Sequence, residues 1–322
     1  MDEHKKTVLV ILPVRDDQRA RLDAAARGCR MLYVPAEQVT ETQVREASVI
    51  IGCVPPEMIR ASDRLELLQL SSAGTDSYIA PGVLAGSTVL CNATGAYGRA
   101  VSEHGVALTL TLMKKLYLYR DKQNECLWSD FGTVCSPADA TVVVVGLGDI
   151  GLQYARTLKA MGSYIIGVKR RPGACPACVD ELVLTDDVDT VLPRADVVFA
   201  ALPGTGGTVH FFTEERFRSM KNTAFFINCG RGSAVESSVL LNALRSGEIA
   251  AAAADVAEME PLPSDHPLWK QRNMVLTPHV SGGYHLPYSF ERIVDIACEN
   301  LEHWAKGEAY RNVIDFETGY KR

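Results

Sequence analysis

Thr141-Val142-Val143-Val144-Val145-Gly146-Leu147-Gly148-Asp149-Ile150-Gly151 is the stretch that decides the fold. Four consecutive valines read as a strand buried on both faces, as the strands of a parallel sheet are. The three glycines that follow have separate tasks. Gly146 permits the tight turn out of the strand, Gly148 lets the backbone approach a pyrophosphate, and Gly151 permits close packing of a helix on the strand. The helix opening at Asp149 and Ile150 offers unpaired N–H groups and the positive end of its dipole to phosphate. A glycine pattern alone is weak evidence. Here a strand precedes it, a helix over residues 150–161 follows and a second strand over 164–168 completes the unit, so a bound dinucleotide is the expectation.

The end of that second strand sets the expected cofactor. A unit that binds NAD usually carries an acidic residue there, about 20 residues past the glycines, to bond the ribose 2′-hydroxyl. This chain has Lys169-Arg170-Arg171 instead. Three cations attract a 2′-phosphate, and arginine can bind it through a planar fork. NADP(H) is therefore the preferred cofactor, with NAD(H) possible.

Working outward, short apolar runs alternate with amphipathic stretches, the pattern of an α/β protein with parallel sheets. In the first third, strands are expected over 8–12, 31–34, 49–52, 67–70 and 88–91, with helices over 17–27, 40–46 and 56–61. A long pattern over 99–124 is apolar on more than one side, which marks a buried or interface helix. Beyond the valine strand, further strands are expected over 164–168, 197–201, 224–228, 250–256 and 274–277, and helices over 150–161, 214–220, 236–246 and 287–305. The expected architecture is a Rossmann nucleotide-binding domain over 101–287 and a smaller flavodoxin-like, doubly wound substrate domain built from 1–100 and 288–322.

Bulk properties bound the partners. The 322 residues suit two domains. A net charge of -6 argues against a nucleic-acid binder, which needs a basic face. No stretch reaches the roughly 18 apolar residues of a membrane helix. Nine scattered cysteines favour free thiols in a reducing cytoplasm over a disulfide framework. Cys175-Pro176-Ala177-Cys178 is a lone pair with no second ligand pair nearby, so it reads as a surface loop and no metal is expected.

Three later motifs carry the chemistry: Asn228-Cys229-Gly230-Arg231-Gly232, Asp255-Val256-Ala257-Glu258-Met259-Glu260-Pro261 and Thr277-Pro278-His279. Each follows an expected strand, and ligands of doubly wound sheets bind at the carboxyl ends of strands. Arg231, between two glycines, offers a fork matched to a carboxylate and a neighbouring carbonyl. His279 can exchange a proton near neutral pH, and a carboxylate beside it favours the imidazolium. Of the other histidines, His4, His266 and His303 read as surface residues. His104 reads as structural on the long helix, His210 lacks a strand-end placement, and His285 is a minor candidate for substrate contact.

With these motifs in order, the chain strongly resembles the D-isomer-specific 2-hydroxyacid dehydrogenases, in particular glyoxylate/hydroxypyruvate reductase-like or phosphoglycerate dehydrogenase-like members. The resemblance also takes in Ser72-Ala73-Gly74-Thr75-Asp76, Ala100-Val101-Ser102-Glu103-His104 and Asn312-Val313-Ile314-Asp315. It implies that Arg231 holds the substrate carboxylate and carbonyl, that His279 is the acid/base and that Glu260 is its partner. It further implies that N–H groups of Ala73 and Gly74 bind the carboxylate, that Asp255 contacts the nicotinamide end and that Thr208 lines the cofactor cleft. The implied reaction is hydride transfer between NADPH and a small 2-keto acid, such as glyoxylate or hydroxypyruvate, in a homodimer paired through residues 99–124. Ala257 and Tyr284 depart from the residue sizes common in the family, which bears on substrate identity. The alternative is a nucleotide-sensing, corepressor-like binding protein on the same fold without turnover.

Overall fold

The computed structural model describes residues 6–60 and 62–321. His4 and Ala61, the expected end of the third helix, lie outside them. The chain divides into two compact units, Met1–Tyr97 with Gly283–Arg322, and Gly98–Gly282. The expected boundaries at 100 and 288 differ from these by a few residues.

The first unit runs β1 (Thr7–Val10), α1 (Asp16–Ala25), β2 (Arg30–Tyr33), α2 (Glu41–Glu46), β3 (Val49–Ile51), α3 (Pro56–Ile59), β4 (Leu67–Gln69) and β5 (Val89–Cys91). Its sheet is parallel, in the order β2-β1-β3-β4-β5. This is the flavodoxin-like order. β1 and β3 are buried at every position, so their unbroken apolar runs report burial on both faces. Thr40 caps α2 by accepting from the Gln43 N–H, while Gln43 accepts from the Thr40 N–H.

The second unit runs α4 (Gly98–Met113), α5 (Leu116–Asn124), β6 (Thr141–Val145), α6 (Asp149–Ala160), β7 (Tyr164–Lys169), β8 (Glu181–Leu184), β9 (Val197–Ala200), α7 (Glu214–Ser219), β10 (Phe225–Asn228), α8 (Ser237–Ser246), β11 (Ala251–Ala254) and β12 (Met274–Leu276). The parallel order β12-β11-β10-β9-β6-β7-β8 turns back on itself at β6. That reversal is the dinucleotide-binding arrangement, with the switch point at the carboxyl end of the valine strand. α9 (Pro287–Lys306) returns the chain to the first unit and packs on α1. It begins with Pro287 in its first turn and ends at Gly307 in the left-handed conformation, the usual start and stop signals. Among the described residues no helix is long and apolar enough to cross a membrane.

Two expectations need correcting. The single helix over 99–124 is two helices, because Lys115 adopts φ +57°, which a right-handed helix cannot continue. The neighbouring lysines hold the break: Lys114 Nζ donates to the Cys135 carbonyl and Lys115 Nζ to the Phe131 carbonyl. β8 was not expected. Its Glu-Leu-Val-Leu is half-buried at the sheet edge and too short for a clear apolar pattern.

Candidate active site

The glycine turn separates into two locked positions and one open one. Gly146 has φ +101°, and a side chain there would lie 2.6 Å from the Ala201 carbonyl oxygen. A side chain at Gly151 would run into the Gly146 carbonyl oxygen. These two glycines let helix and turn pack. At Gly148 an added carbon would meet nothing within 4 Å, and no side chain caps α6 there. Open ground before the N–H groups of Asp149 and Ile150 is what a pyrophosphate needs. Lys169 ends β7, with Arg170 and Arg171 exposed beyond it. These residues fit a dinucleotide. Thr208, expected to line the cleft, has its hydroxyl engaged within its own short turn. It is buried, donates to the Pro203 carbonyl at 2.6 Å and accepts from the Thr205 N–H at 3.0 Å.

Arg231, Glu260 and His279 follow the carboxyl ends of the adjacent strands β10, β11 and β12. Asn228 shapes the arginine turn: its side chain donates to the Arg231 carbonyl at 3.0 Å and accepts from the Gly230 N–H at 3.0 Å. A side chain at Gly232 would overlap the Ala257 carbonyl. Only glycine therefore lets the arginine turn lie against the loop that carries Glu260. His279 Nδ1 bonds Glu260 Oε2 at 2.7 Å, and Glu260 Oε1 accepts from the Ala257 N–H at 3.0 Å. The carboxylate is thus fixed at both oxygens, and Nε2 of the imidazole is left as the nitrogen that can face a substrate.

Beneath this rim lies Asp255, whose side chain is 0% exposed. Its Oδ1 accepts from the Thr277 hydroxyl at 2.6 Å and the Val280 N–H at 3.0 Å. Its Oδ2 accepts from the Ser281 N–H at 2.9 Å, and its carbonyl takes the His279 N–H at 2.7 Å. Asp255 was expected at the nicotinamide end of the cofactor. Its carboxylate holds the segment that bears His279. Next to it, burial pushes the Cys229 thiol well above its ordinary range, and the Asp255 charge adds to the effect. His104, read as structural from the sequence, bonds Thr277 Oγ1 through Nε2 at 2.9 Å. The Ala100–His104 motif was the available signal; the helix face on which His104 lies was not legible.

In the first unit, the turn that contains Ala73 and Gly74 has its carbonyls engaged in sequence. Ser71 O accepts from the Tyr97 hydroxyl at 2.5 Å, Ser72 O from the Ala93 N–H at 2.9 Å, and Ala73 O from Asn92 Nδ2 at 2.7 Å. In a planar trans peptide the N–H points opposite to the preceding carbonyl. The N–H groups of Ser72, Ala73 and Gly74 are therefore directed away from these partners, as donors to an anion would be.

Residues 106–281 match the family model described as "D-isomer specific 2-hydroxyacid dehydrogenase, NAD binding domain". A glyoxylate reductase from Thermofilum pendens is 33% identical over 82% of this chain and 79% of its own length. A D-isomer specific 2-hydroxyacid dehydrogenase family protein from Aeromonas salmonicida has a solved structure with TM-score 0.85, 31% identity, and coverage of 97% of this chain and 99% of that one. An NADPH-dependent glyoxylate/hydroxypyruvate reductase from Sinorhizobium meliloti, solved with NADP and sulfate, gives TM-score 0.83 and 25% identity over 98% and 100%. This chain belongs to the D-isomer-specific 2-hydroxyacid dehydrogenase family. It is an oxidoreductase that uses a nicotinamide cofactor.

Proposed function

We propose that the chain reduces a small 2-keto acid of the glyoxylate or hydroxypyruvate class, with NADPH preferred over NADH. The observation that carries the reading is the His279–Glu260 bond of 2.7 Å, set at strand ends beside the Arg231 turn. In this reading Arg231 binds the substrate carboxylate and polarises the carbonyl. His279, charged and held by Glu260, gives its Nε2 proton to the oxygen as negative charge develops there. The N–H groups of Ala73 and Gly74 are further donors to the carboxylate. Asp255 keeps the histidine segment in register. When bound, the reduced nicotinamide supplies the hydride. The helix N-terminus at Asp149, Ile150 and Gly151 would hold its pyrophosphate, and Lys169, Arg170 and Arg171 would bind the 2′-phosphate. The names of the glyoxylate-reducing relatives support the substrate class, and the NADP in the Sinorhizobium structure supports the cofactor.

A second copy of this chain is the proposed partner. Leu116 at 52%, Leu127 at 53% and Trp128 at 106% exposure are large apolar side chains left open at the start of α5 and just after it, which supports pairing there. The nine free cysteines support a reducing compartment, the cytoplasm.

The test is the initial rate with NADPH and NADH against glyoxylate, hydroxypyruvate, pyruvate, phenylpyruvate and 2-ketoisocaproate. The same sample is weighed by light scattering. Reduction of glyoxylate or hydroxypyruvate with NADPH dominant is the expected result. Binding of NADPH with no turnover of any keto acid would overturn the reading, and a monomer in solution would remove the partner.

A further inference from the structure

Asp255 raises a question that its own bonds do not answer. A carboxylate with a fully buried side chain needs hydrogen bonds on both oxygens and a nearby positive group to stay charged at modest cost. The bonds come from Thr277, Val280 and Ser281. The basic side chain beside it is His104, whose Nε2 lies 3.7 Å from Asp255 Oδ1 and 2.9 Å from Thr277 Oγ1. Counting protons fixes the directions. A threonine hydroxyl has one proton, and an ionised carboxylate only accepts. The Thr277 proton goes to Asp255, so the Thr277 oxygen is the acceptor from His104, and His104 carries its proton on Nε2.

We infer that His104 is a positioning residue for His279. It donates through Nε2 to Thr277, which commits the Thr277 hydroxyl to Asp255. Asp255 in turn grips the chain immediately after His279 at Val280 and Ser281, and takes the His279 N–H on its carbonyl. His279 itself sits at φ +52°, a conformation a non-glycine residue holds only when its surroundings impose it. The sequence places His104 for this task through its neighbour. A side chain at Gly105 would come within 2.5 Å of the Phe199 ring, so α4 lies hard against β9 and α6, and His104 Nε2 meets Thr277 just past β12. The inference rests on the proposed acid/base role of His279, and its test is chosen so that the two can fail separately.

The test uses the full-length protein with His104→Leu, His104→Gln and Thr277→Val. Glutamine keeps an N–H donor; leucine and valine remove the bond with little change of volume. Histidine-labelled protein, observed by NMR, gives the His104 tautomer and the His279 titration. Glu260, which bonds His279 Nδ1, is left intact throughout. Expected results are an Nε2-protonated His104 and a displaced His279 titration in His104→Leu and Thr277→Val. The kcat for keto-acid reduction should fall about tenfold in both, as for a mispositioned catalytic group, with NADPH affinity kept. His104→Gln should recover kcat to within about threefold, since the donor is what matters.

An Nδ1-protonated neutral His104 would overturn the inference. So would an unmoved His279 with unchanged kcat, or a glutamine variant as impaired as the leucine one. If His104→Leu does not fold, Thr277→Val and His104→Gln decide. If the wild-type enzyme reduces no keto acid, the functional reading fails, and the NMR results still decide whether His104 positions His279.

Discussion

Two histidine–glutamate pairs share one loop of this enzyme. His279 bonds Glu260 at 2.7 Å, and His210 bonds Glu258 at 3.2 Å. Their exposures are alike, 49% and 38% against 50% and 32%, and both histidines have positive φ, +52° and +50°. In each pair the second carboxylate oxygen takes a backbone N–H, from Ala257 and from Ser237. By local geometry the two are hard to tell apart. What differs is what lies underneath. His279 follows the end of β12 and is gripped through a buried aspartate, while His210 sits in the loop between β9 and α7 with its N–H on the Ser233 carbonyl. A histidine paired with a carboxylate is common chemistry. Placement at the carboxyl edge of a parallel sheet, in fixed register with an arginine turn, makes one of these a candidate acid.

The sharpest way to break this comparison is to remove each side chain in turn. His279→Ala and Arg231→Ala should each lower kcat/KM for the keto acid by at least about 100-fold, the usual scale for a positioned acid/base group or a charged donor. Steady-state kinetics of purified variants with unchanged melting temperature checks it. Near-wild-type activity in either variant would remove that residue from the mechanism and erase the distinction between the pairs.

A smaller effect is expected at the cofactor end of the same unit. Arg170→Ala with Arg171→Ala should lower the ratio of NADPH to NADH efficiency about tenfold or more, the worth of one or two charge-assisted bonds to a phosphate. That loss would register on the cofactor, where the His279 variant loses rate with either cofactor. An unchanged ratio would mean that the basic turn is merely solvated.

How legible these features were in the sequence follows from the range of the forces involved. The valine strand and the glycine turn could be read residue by residue, because burial on two faces and clashes with the Gly146 and Ala201 carbonyls act locally. Strand-end motifs placed Arg231, Glu260 and His279 on one rim, because parallel topology puts all carboxyl ends together. Side-chain direction was another matter. The Thr208 hydroxyl turns to Pro203, the Asp255 carboxylate turns to Thr277, Val280 and Ser281, and His104 reaches residue 277 from the first helix of the unit. Thr208 is held within its own short turn by Pro203 and Thr205, whereas the other two depend on partners distant in sequence, which periodicity does not encode. The break at Lys115 was hidden for the same reason, since the carbonyls that hold it belong to Phe131 and Cys135. The His210–Glu258 pair went unread because no motif surrounds His210.

That second pair supplies the smallest expected effect. His210→Ala should leave keto-acid reduction within about twofold, because removing an exposed ion pair away from the reacting atoms costs about 1 kcal/mol of stability or less. Its imprint belongs on the acid side of the stability curve. Burial raises the Glu258 carboxyl, but the bonds from Ser237 and from His210 outweigh it and hold the group below the ordinary carboxylate range. A carboxyl lowered in the folded state contributes stability above its unfolded value and loses it as pH falls through the lowered one. Glu258→Gln should therefore flatten the fall in melting temperature below about pH 5, where native carboxylates begin to protonate, and leave the rate at neutral pH alone. A tenfold loss of rate in His210→Ala would show that the loop works as one unit, with both pairs tied to the chemistry, and the placement argument would fail with it.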